Sequence, residues 1–525
     1  MATPIPTKRI VIACDGTWQS SVSEDENIPS NVTKLCRHVA RTGTTSSGAA
    51  IPQIVYYDSG VGTGSLADLE KKRQGATGDG LATNVIEAYN FIVLNYSPGD
   101  EIFCFGFSRG AYTARAVAGL VTDIGVMEPR YMQIFPFIYK AYKANKEGKP
   151  FRETQAWKEV VGGKLSKKGI EFSAKPGRRT AEEITQMWEI RPHGEVAIQG
   201  SRKVKVVGVW DTVGSLGVPD GRWMDNADMR TSYGFHNVKL NENIEHAFHA
   251  LALDERRKAF KPTVWYLPKK PTGKQPELLQ VWFPGVHINI GGGSDDGIKD
   301  HAGDLEGMSN ITFAWMLQCI SPHLEIDRTA YNQTMIEYKQ WLDDIDYKHT
   351  LPPPPPEGIK ETFWSYVPYV PLVNPAPTVW TRTPRGWGVG RMVDSLTGLM
   401  YNYAGGVKRI PGRCQTEVWN PTTKKHEWVE IGEMGVTNEF VHPVAGYRRT
   451  KFPEEKNSGL EGFVRGEKAK GKGFEWKKKD GTSLPEYVIQ KAGKAPNFER
   501  LWMTADGPGV QEMEWLAEVD RVNGL

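Results

Sequence analysis

Short, mostly apolar runs recur through the first 320 residues, and glycine or polar residues follow each of them. Such runs are typical of strands that are buried on both faces of a parallel sheet. Between two of the runs, apolar side chains recur at helical spacing, as at Val85, Ala88, Tyr89, Ile92 and Val93. The runs themselves occupy residues 9–14, 54–57, 102–107, 204–210 and 279–283. This alternation predicts an α/β fold in which helices flank a mostly parallel central sheet.

The run at 102–107 leads directly into Gly-Phe-Ser-Arg-Gly, which fits the pattern G-x-S-x-G. Small apolar residues at helical spacing follow over residues 111–120, so the serine is predicted to lie between the end of a strand and the start of a helix. A serine in such a turn has a strained backbone, and Gly106 and Gly110 leave room for it. The context therefore makes Ser108 a candidate nucleophile.

Two later apolar runs also end in residues with suitable chemistry. The run at 204–210 is followed by Asp211, and the run at 279–283 is followed by His287. Residues that follow parallel strands lie at the same edge of the sheet. The order Ser108, Asp211, His287 is the serine, acid, histidine order of α/β-hydrolases, so the sequence predicts an α/β-hydrolase-like fold with a catalytic triad.

Five segments of the chain also resemble a known family, and they lie at residues 14–18, 106–115, 209–214, 252–257 and 281–287. In this order they resemble the signature segments of an uncharacterised α/β-hydrolase domain, which fungal proteins share with the catalytic domains of bacterial type VI secretion phospholipase effectors. The resemblance covers about residues 8 to 320. Segments 409–412 and 437–443 resemble what fungal members carry further on. The resemblance implies a serine hydrolase with Ser108 as nucleophile, His287 as base and Asp211 as its orienting carboxylate.

Residues around the predicted triad complete the expected site. We expect the backbone N–H groups of Arg109, Gly16 and Thr17 to form the oxyanion hole, because the first turns after strands direct N–H groups outward. The substrate is expected to contact a set of side chains from the same loops, namely Asp15, Trp18 and Phe107. The substrate is predicted to be a lipid or a small-molecule ester. No cofactor and no metal ion are predicted.

One position departs from the family pattern. Relatives usually have an aspartate two residues after the histidine, whereas this chain has Asn289. If that carboxylate tunes the site in relatives, the reaction here could differ. A non-hydrolytic biosynthetic enzyme, or a binding module with an inactive site, is therefore the alternative function on the same scaffold.

The domain organisation follows from shifts in composition. We predict a catalytic domain at 1–330, in which residues 127–201 form a helical insertion or cap. Residues 331–525 form a region rich in proline and aromatic residues that packs on or caps the catalytic domain. This region includes a run of five prolines at 352–356, which must be extended and stiff.

Composition limits the classes of partner. The 525-residue chain carries 65 Lys and Arg against 62 Asp and Glu, for a net charge of +3, so nucleic-acid binding is not predicted. Five scattered cysteines indicate reduced, buried thiols rather than a disulfide framework or a zinc site. The N-terminus lacks the long apolar run of a signal peptide, and we expect a cytoplasmic protein.

Three further features have simple explanations. His246 and His249 lie three residues apart on a predicted helix and could bind a metal, but such helices often carry histidines without one. Arg256 and Arg257 are expected to form ion pairs with Asp254 or Glu255. The basic tract 465–479 is interpreted as a solvated surface, with peripheral contact to an acidic membrane as the alternative.

Overall fold

The structure is a computed structural model, and it describes most of the chain. The described residues are 7–16, 29–60, 79–143, 145, 150–161, 195–213, 238–270, 273–293, 306–348, 386–390, 392, 395, 406–420, 423, 425–454, 457–491, 493, 497–504 and 510–525. Several sequence predictions lie outside these residues. They concern Thr17, Trp18, the proline run at 352–356 and much of the predicted insertion.

Strands make up the centre of the molecule, and the runs predicted from the sequence are among them. In chain order they are β1 (Arg9–Cys14), β2 (Thr42–Thr44), β3 (Ala50–Asp58), β4 (Glu101–Phe107), β5 (Val204–Trp210), β6 (Ile244–Ala252), β7 (Leu267–Pro268), β8 (Glu277–Phe283), β9 (Gln415–Asn420), β10 (Lys425–Glu430), β11 (Gly435–Val436), β12 (Glu439–Val441), β13 (Phe463–Glu467), β14 (Phe474–Lys478) and β15 (Ser483–Pro485).

The main sheet of the described residues has eight strands in the order β12-β8-β6-β5-β4-β1-β3-β2. Every neighbouring pair from β12 to β3 is parallel, and only β2 runs antiparallel, against β3. The mostly parallel central sheet predicted from the sequence is thereby confirmed. Because β4, β5 and β8 run in the same direction, the residues that follow them emerge at one edge of the sheet.

Helices cover both faces of this sheet. They are α1 (Asn31–His38), α2 (Asp79–Asn95), α3 (Ser108–Ile124), α4 (Phe135–Lys143), α5 (Gln155–Val161), α6 (His287–Gly291), α7 (Gly307–Ile320), α8 (Arg328–Lys348), α9 (Ile431–Met434), α10 (Val444–Lys451), α11 (Phe498–Thr504) and α12 (Val510–Asn523). None of the helices in the described part of the chain is long and apolar enough to cross a membrane.

The two largest apolar clusters among the described residues lie on opposite faces of the sheet. Successive side chains of β1 belong to one cluster or the other. Ile10 and Ile12 pack with α2, α3 and α4, whereas Val11 and Ala13 pack with α1 and α7. Burial of both strand faces explains why these strands read as continuous apolar runs. The residues of α4 belong to the first cluster, where Phe135 stacks on Tyr89 of α2 at a ring-centroid distance of 4.7 Å.

The chain beyond residue 330 contributes to the same sheet. Strand β12 pairs in parallel with β8, with Phe440 opposite Val281, and forms its edge. The indole of Trp282 donates a hydrogen bond of 2.8 Å to the carboxylate of Glu439. The C-terminal region therefore does more than cover the catalytic domain, because it supplies part of its central sheet.

One sequence prediction of secondary structure is wrong. Residues 244–252 form strand β6 rather than a helix, so His246 and His249 point to opposite faces of the sheet. His249 is fully buried. The two side chains cannot form the metal pair that helical spacing suggested. All five cysteines are free; Cys14, Cys104 and Cys414 are buried, as predicted, whereas Cys36 and Cys319 are half-buried.

Candidate active site

The turn at Ser108 has the strained geometry predicted from the sequence. Strand β4 ends at Phe107 and α3 begins at Ser108, whose φ of 57° is unusual for a residue with a side chain. A Cβ atom built at Gly106 would lie 2.3 Å from the carbonyl oxygen of Gly110, and one at Gly110 would lie 2.2 Å from that of Cys14. Only glycine fits at these two positions, so they allow the turn to approach β1 closely.

Asp211 and His287 are in direct contact at the same edge of the sheet. The Nδ1 atom of His287 lies 2.6 Å from Oδ2 of Asp211, and both side chains are buried. Asp211 follows β5 with a φ of 41°, and His287 is the first residue of α6, shortly after β8. The two residues are 76 positions apart in sequence, and the structure brings them together as the triad prediction requires.

Arg409 binds the other side of Asp211. Its Nη1 donates to Oδ1 at 2.5 Å and its Nη2 donates to Oδ2 at 3.0 Å, which makes a bidentate ion pair. The same guanidinium donates to the carbonyl oxygens of Ala252 and Phe260, and the N–H of Ala252 donates to Asp211. Arg409 is only 5% exposed, so this ion pair is desolvated.

These contacts set the charges of the acid and the histidine. Burial alone would raise the pKa of Asp211, but the positive charge of Arg409 and hydrogen bonds from His287 and Arg409 outweigh it, and the pKa lies well below its ordinary value. Burial lowers the pKa of His287, and Asp211 opposes this only in part. At neutral pH the pair is therefore a carboxylate and a neutral imidazole.

His287 Nε2 is the atom left for proton transfer. It is buried and has no hydrogen-bond partner among the described residues. The imidazole packs between two aromatic rings, at centroid distances of 4.7 Å from Phe107 and 4.8 Å from Phe260. Since Phe107 precedes Ser108 in the chain, this packing places the imidazole beside the serine turn.

Phe107 has a different role from the predicted contact with substrate. Its side chain is buried beneath His287. A Cβ atom built at Gly291 would lie 2.0 Å from its ring, so α6 can approach the ring only with glycine at that position. Phe107 therefore positions the imidazole rather than lining an open substrate site.

Asn289 completes the local structure of α6. Its Oδ1 accepts a hydrogen bond of 3.1 Å from the N–H of Val286, at the start of the helix that carries His287. Asn289 is fully buried. An amide oxygen accepts this bond as a carboxylate oxygen would, so the departure from the family's aspartate preserves the turn.

Of the predicted oxyanion and substrate residues after β1, the structure describes Asp15 and Gly16, and both are engaged in hydrogen bonds. Asp15 is buried, and its carboxylate accepts hydrogen bonds from Ser30, Thr33 and Tyr57. The N–H of Gly16 also donates to Asp15, at 2.7 Å. In this conformation the Gly16 N–H is engaged by Asp15, contrary to the predicted oxyanion role. The Asp15 carboxylate connects the end of β1 to Ser30 before α1 and to Tyr57 of β3.

Gly16 is nevertheless next to Ser108, the candidate nucleophile. A Cβ atom built on it would lie 3.4 Å from Cβ of Ser108. Arg109 is the second residue of α3 and directly follows Ser108. Its N–H remains a predicted oxyanion donor.

A cleft opens along α3, beside Asp211. Its lining includes Arg115, Lys239 and Thr212, the residue that follows Asp211. The Arg115 guanidinium donates to the carbonyl oxygen of Thr263 and stacks 4.0 Å above the ring of Trp265. Within the described chain, no carboxylate pairs with Arg115. The Thr212 hydroxyl is buried there without a hydrogen-bond partner in the same part of the chain.

One of the ion pairs predicted near His287 is present. Arg257 donates two side-chain hydrogen bonds to Glu255, as predicted. Glu255 in turn accepts a bond from the N–H of His287. Asp254 accepts one from the N–H of Gly285 in the turn before His287. These carboxylates hold the backbone around the histidine.

Arg409 is the site residue that the sequence did not assign. The segment 409–412 resembles a feature of fungal relatives, but its pairing with Asp211 spans 198 residues. Nothing in the local sequence indicates which acid it binds. The sequence signal for Arg409 was limited to an arginine before Ile-Pro-Gly, in a segment without a regular apolar pattern.

Together, the parallel sheet, the serine turn after β4 and the Asp211–His287 pair define an α/β-hydrolase-like fold with a candidate active site at its carboxyl edge. A family model for the catalytic domain of type VI secretion phospholipase effectors of the Tle1-like group matches residues 8–319. That match covers more than half of the chain, and the chain belongs to this family.

Individual relatives are distant. A yeast protein, the uncharacterized protein YEL023C of Saccharomyces cerevisiae, is 22% identical over 278 residues, which cover 50% of this chain and 34% of that protein. The chain thus spans about a third of the length of this curated relative.

Two solved structures show similarity of the same low degree. The Tle1 effector bound to the VgrG spike from the type 6 secretion system is 19% identical, covering 55% of this chain and 52% of that one, with a TM-score of 0.25. An uncharacterized protein from Pseudomonas aeruginosa is 16% identical over 59% of this chain and 45% of that one, with a TM-score of 0.27. These TM-scores are too low to support an argument, so the fold is assigned from the central sheet of this chain alone.

Proposed function

We propose that the protein is a serine hydrolase that cleaves an acyl ester through Ser108, His287 and Asp211. The observation that carries the proposal is the 2.6 Å contact of His287 Nδ1 with the Asp211 carboxylate, at the sheet edge where Ser108 adopts its strained turn. Nucleophile, base and orienting acid are the three parts that acyl transfer through a serine requires.

In the first half of the reaction, Nε2 of His287 takes the proton of the Ser108 hydroxyl as Oγ attacks the ester carbonyl. The tetrahedral intermediate carries its negative charge on the former carbonyl oxygen, and the N–H of Arg109 donates to it. The intermediate then collapses to an acyl-serine. His287 returns the proton to the departing alcohol oxygen.

In the second half, His287 takes a proton from water, whose oxygen attacks the acyl-serine. Collapse of this second intermediate releases the carboxylic acid, and the proton on His287 returns to Ser108. Asp211 stays ionised throughout, because it serves to fix the imidazole tautomer and to stabilise the positive imidazolium. Arg409 keeps Asp211 in that ionised state and in position, which makes it a positioning residue.

The substrate we propose is a phospholipid or a related ester that carries an anionic group. Two observations support this class over neutral esters. The family to which the chain belongs is described by phospholipase activity. The cleft beside Asp211 is also lined by Arg115 and Lys239, two cationic residues of the kind that bind phosphate. The one carboxylate among the described residues of that lining, that of Asp123, already accepts hydrogen bonds from Tyr142 and Asn241. Peripheral contact with a membrane and a cytoplasmic location remain predictions that accompany this proposal.

The alternative of an inactive or non-hydrolytic site depended on Asn289. That side chain is engaged in the turn before His287 and makes the bond that an aspartate would make. It therefore supplies no argument against hydrolysis, and no described residue favours the alternative over the triad.

The test is turnover of short p-nitrophenyl esters and of dispersed phospholipid by the full chain and by Ser108→Ala, His287→Ala and Asp211→Asn. We expect each substitution to lower kcat by several decades, as loss of a triad member does. Ser47→Ala, in an exposed turn, is the matched control and should turn over normally. Near-normal rates in folded triad variants would disprove the mechanism, whereas ester turnover without phospholipid turnover would disprove only the substrate class.

A further inference from the structure

Three potential metal ligands meet at the edge of the sheet opposite the candidate active site. His246 is near the start of β6, Glu277 is the first residue of β8, and His323 lies in the turn after α7. His246 and Glu277 are direct partners in the parallel pairing of their strands, so their side chains leave the same face of the sheet. Ser108, Asp211 and His287 follow the carboxyl ends of strands, and the amino ends carry this second cluster.

The ligand atoms of the three residues are close enough to share one ion. They all lie within 4.8 Å of one another. Nδ1 of His246 is 2.6 Å from Oε2 of Glu277, and the rings of His246 and His323 have their centroids 3.9 Å apart. Ligand atoms around a tetrahedral zinc ion are about 3.4 Å apart at bond lengths of about 2.0–2.1 Å, so small side-chain rotations would complete a site.

The donor set also has a recognisable chemistry. Two imidazole nitrogens and one carboxylate oxygen suit Zn²⁺ better than Ca²⁺ or Mg²⁺, which prefer ligand sets made of oxygen alone. Three protein ligands leave a fourth position for water. The side chains of His246 and Glu277 are 20% and 57% exposed, so an ion could enter directly from solvent.

The positive charge of Lys205, on the strand beside β6, is offset by carboxylates. Lys205 pairs with Glu245 at 2.8 Å and lies 3.6 Å from Glu101. The carboxylates of Glu101 and Glu245 therefore compensate the single positive charge of Lys205. Glu245 precedes His246 in β6 and points to the other face of the sheet, so it is outside the cluster.

We propose that His246, Glu277 and His323 form a binding site for a zinc-type divalent ion, independent of the hydrolase site. The bound ion would tie the turn after α7 to the amino ends of β6 and β8. This inference does not depend on the proposed catalytic function, because the ligands lie at the opposite edge of the sheet.

The experiment titrates the EDTA-treated full chain with ZnCl₂ by calorimetry and with Co²⁺ by visible absorption. The wild-type chain should bind a single Zn²⁺, give the absorption of tetrahedral Co²⁺ and gain thermal stability on binding. His323→Ala and Glu277→Gln should each weaken Zn²⁺ binding by roughly 10- to 100-fold or more. Loss of a residue that only hydrogen-bonds to a metal ligand already has an effect of that size, and these variants lose a ligand itself.

Glu245→Gln is the matched control, since it removes the same charge one residue from His246 without removing a ligand. It should bind Zn²⁺ as the wild type does. Circular dichroism establishes that each variant is folded, and if one of the two ligand variants unfolds, the other decides. Absence of Zn²⁺ binding by the wild type, or ligand variants that lose no more affinity than Glu245→Gln, would overturn the proposal.

Discussion

At the scale of single residues, the charge on Asp211 decides what the candidate site can do. Its carboxylate accepts hydrogen bonds from His287, from Arg409 and from the N–H of Ala252 while buried from solvent. Removing one partner from a buried ion pair costs about 3–5 kcal/mol, because the remaining charge loses its compensation. The acid and its arginine therefore act as one unit.

The pH profile of turnover should reflect the neutral imidazole. Burial lowers the pKa of His287 below its ordinary value of 6.5, and the base is active only when unprotonated. The rate should thus be constant near neutral pH and fall as the pH drops through a midpoint below 6.5. The measurement is kcat/KM against pH with a soluble ester. A midpoint above 6.5 would contradict this assignment of the base.

Substitution of Arg409 should weaken catalysis without removing a catalytic group. In Arg409→Gln, burial raises the pKa of Asp211 because the opposing charge is gone. Protonation of the acid then adds to protonation of His287, so the acid limb of the pH profile should move to higher pH. We expect kcat to fall about 100-fold, the cost of misplacing a catalytic group by an ångström.

Arg413 offers a matched control for this substitution. It lies four residues further on, its side chain is 50% exposed, and it pairs with Glu430. Arg413→Gln should leave both kcat and the pH profile unchanged. Equal effects of the two substitutions, or an unshifted profile in Arg409→Gln, would refute a specific role for Arg409.

Arg115 should affect the choice of substrate. If its guanidinium contacts the anionic group of the substrate, Arg115→Met raises KM for an anionic phospholipid and leaves KM for a neutral p-nitrophenyl ester unchanged. Arg130→Met, at a position whose side chain is 69% exposed, serves as the control. Equal changes for the two substrates would show that Arg115 has only a structural role.

At the scale of elements, the turn between β4 and α3 depends on glycine. Ala at position 106 would place Cβ against the Gly110 carbonyl, which cannot move without displacing Ser108. We expect Gly106→Ala to lose about 1–3 kcal/mol of stability from overpacking and most of its turnover. Gly466→Ala is the control, because nothing lies within 4 Å of the added atom. Unchanged melting and turnover in Gly106→Ala would contradict the account of the turn.

The elements that the sequence predicted correctly have an unambiguous apolar pattern. The runs that became β1, β4, β5 and β8 are buried on both faces, and continuous burial leaves a continuous apolar sequence. Strand β6 was predicted as a helix, because His246 and His249 interrupt its apolar residues at a spacing that also suits a helix. His249 is accommodated in the core by Gln280 and the N–H of Thr212, contacts that no local pattern reveals.

At the scale of the whole molecule, the C-terminal region completes both the sheet and the site. Strand β12 extends the sheet beyond β8, and Arg409 reaches Asp211 from the same region. The candidate residues Ser108, Asp211 and His287 could be selected from the sequence because each follows its own strand. The contributions of β12 and Arg409 could not, because long-range pairing leaves no periodic trace in the sequence.

Hydrogen exchange can test this integration directly. The amides of β12 that pair with β8 should exchange as slowly as those of the central strands, since edge pairing and burial of Val441 protect them. Exchange measured by mass spectrometry on the full chain gives the comparison. Rapid exchange throughout residues 439–441, beside a protected β8, would show that β12 is not part of the stable sheet.

The central claim is that Ser108 is an activated nucleophile. A fluorophosphonate reacts covalently with such a serine, and intact-mass and peptide analysis locate the adduct. We predict a single adduct per chain, mapped to Ser108, absent in Ser108→Ala and slow to form in His287→Ala. No adduct on the folded wild-type chain, or equal labelling of Ser108→Ala, would contradict the account.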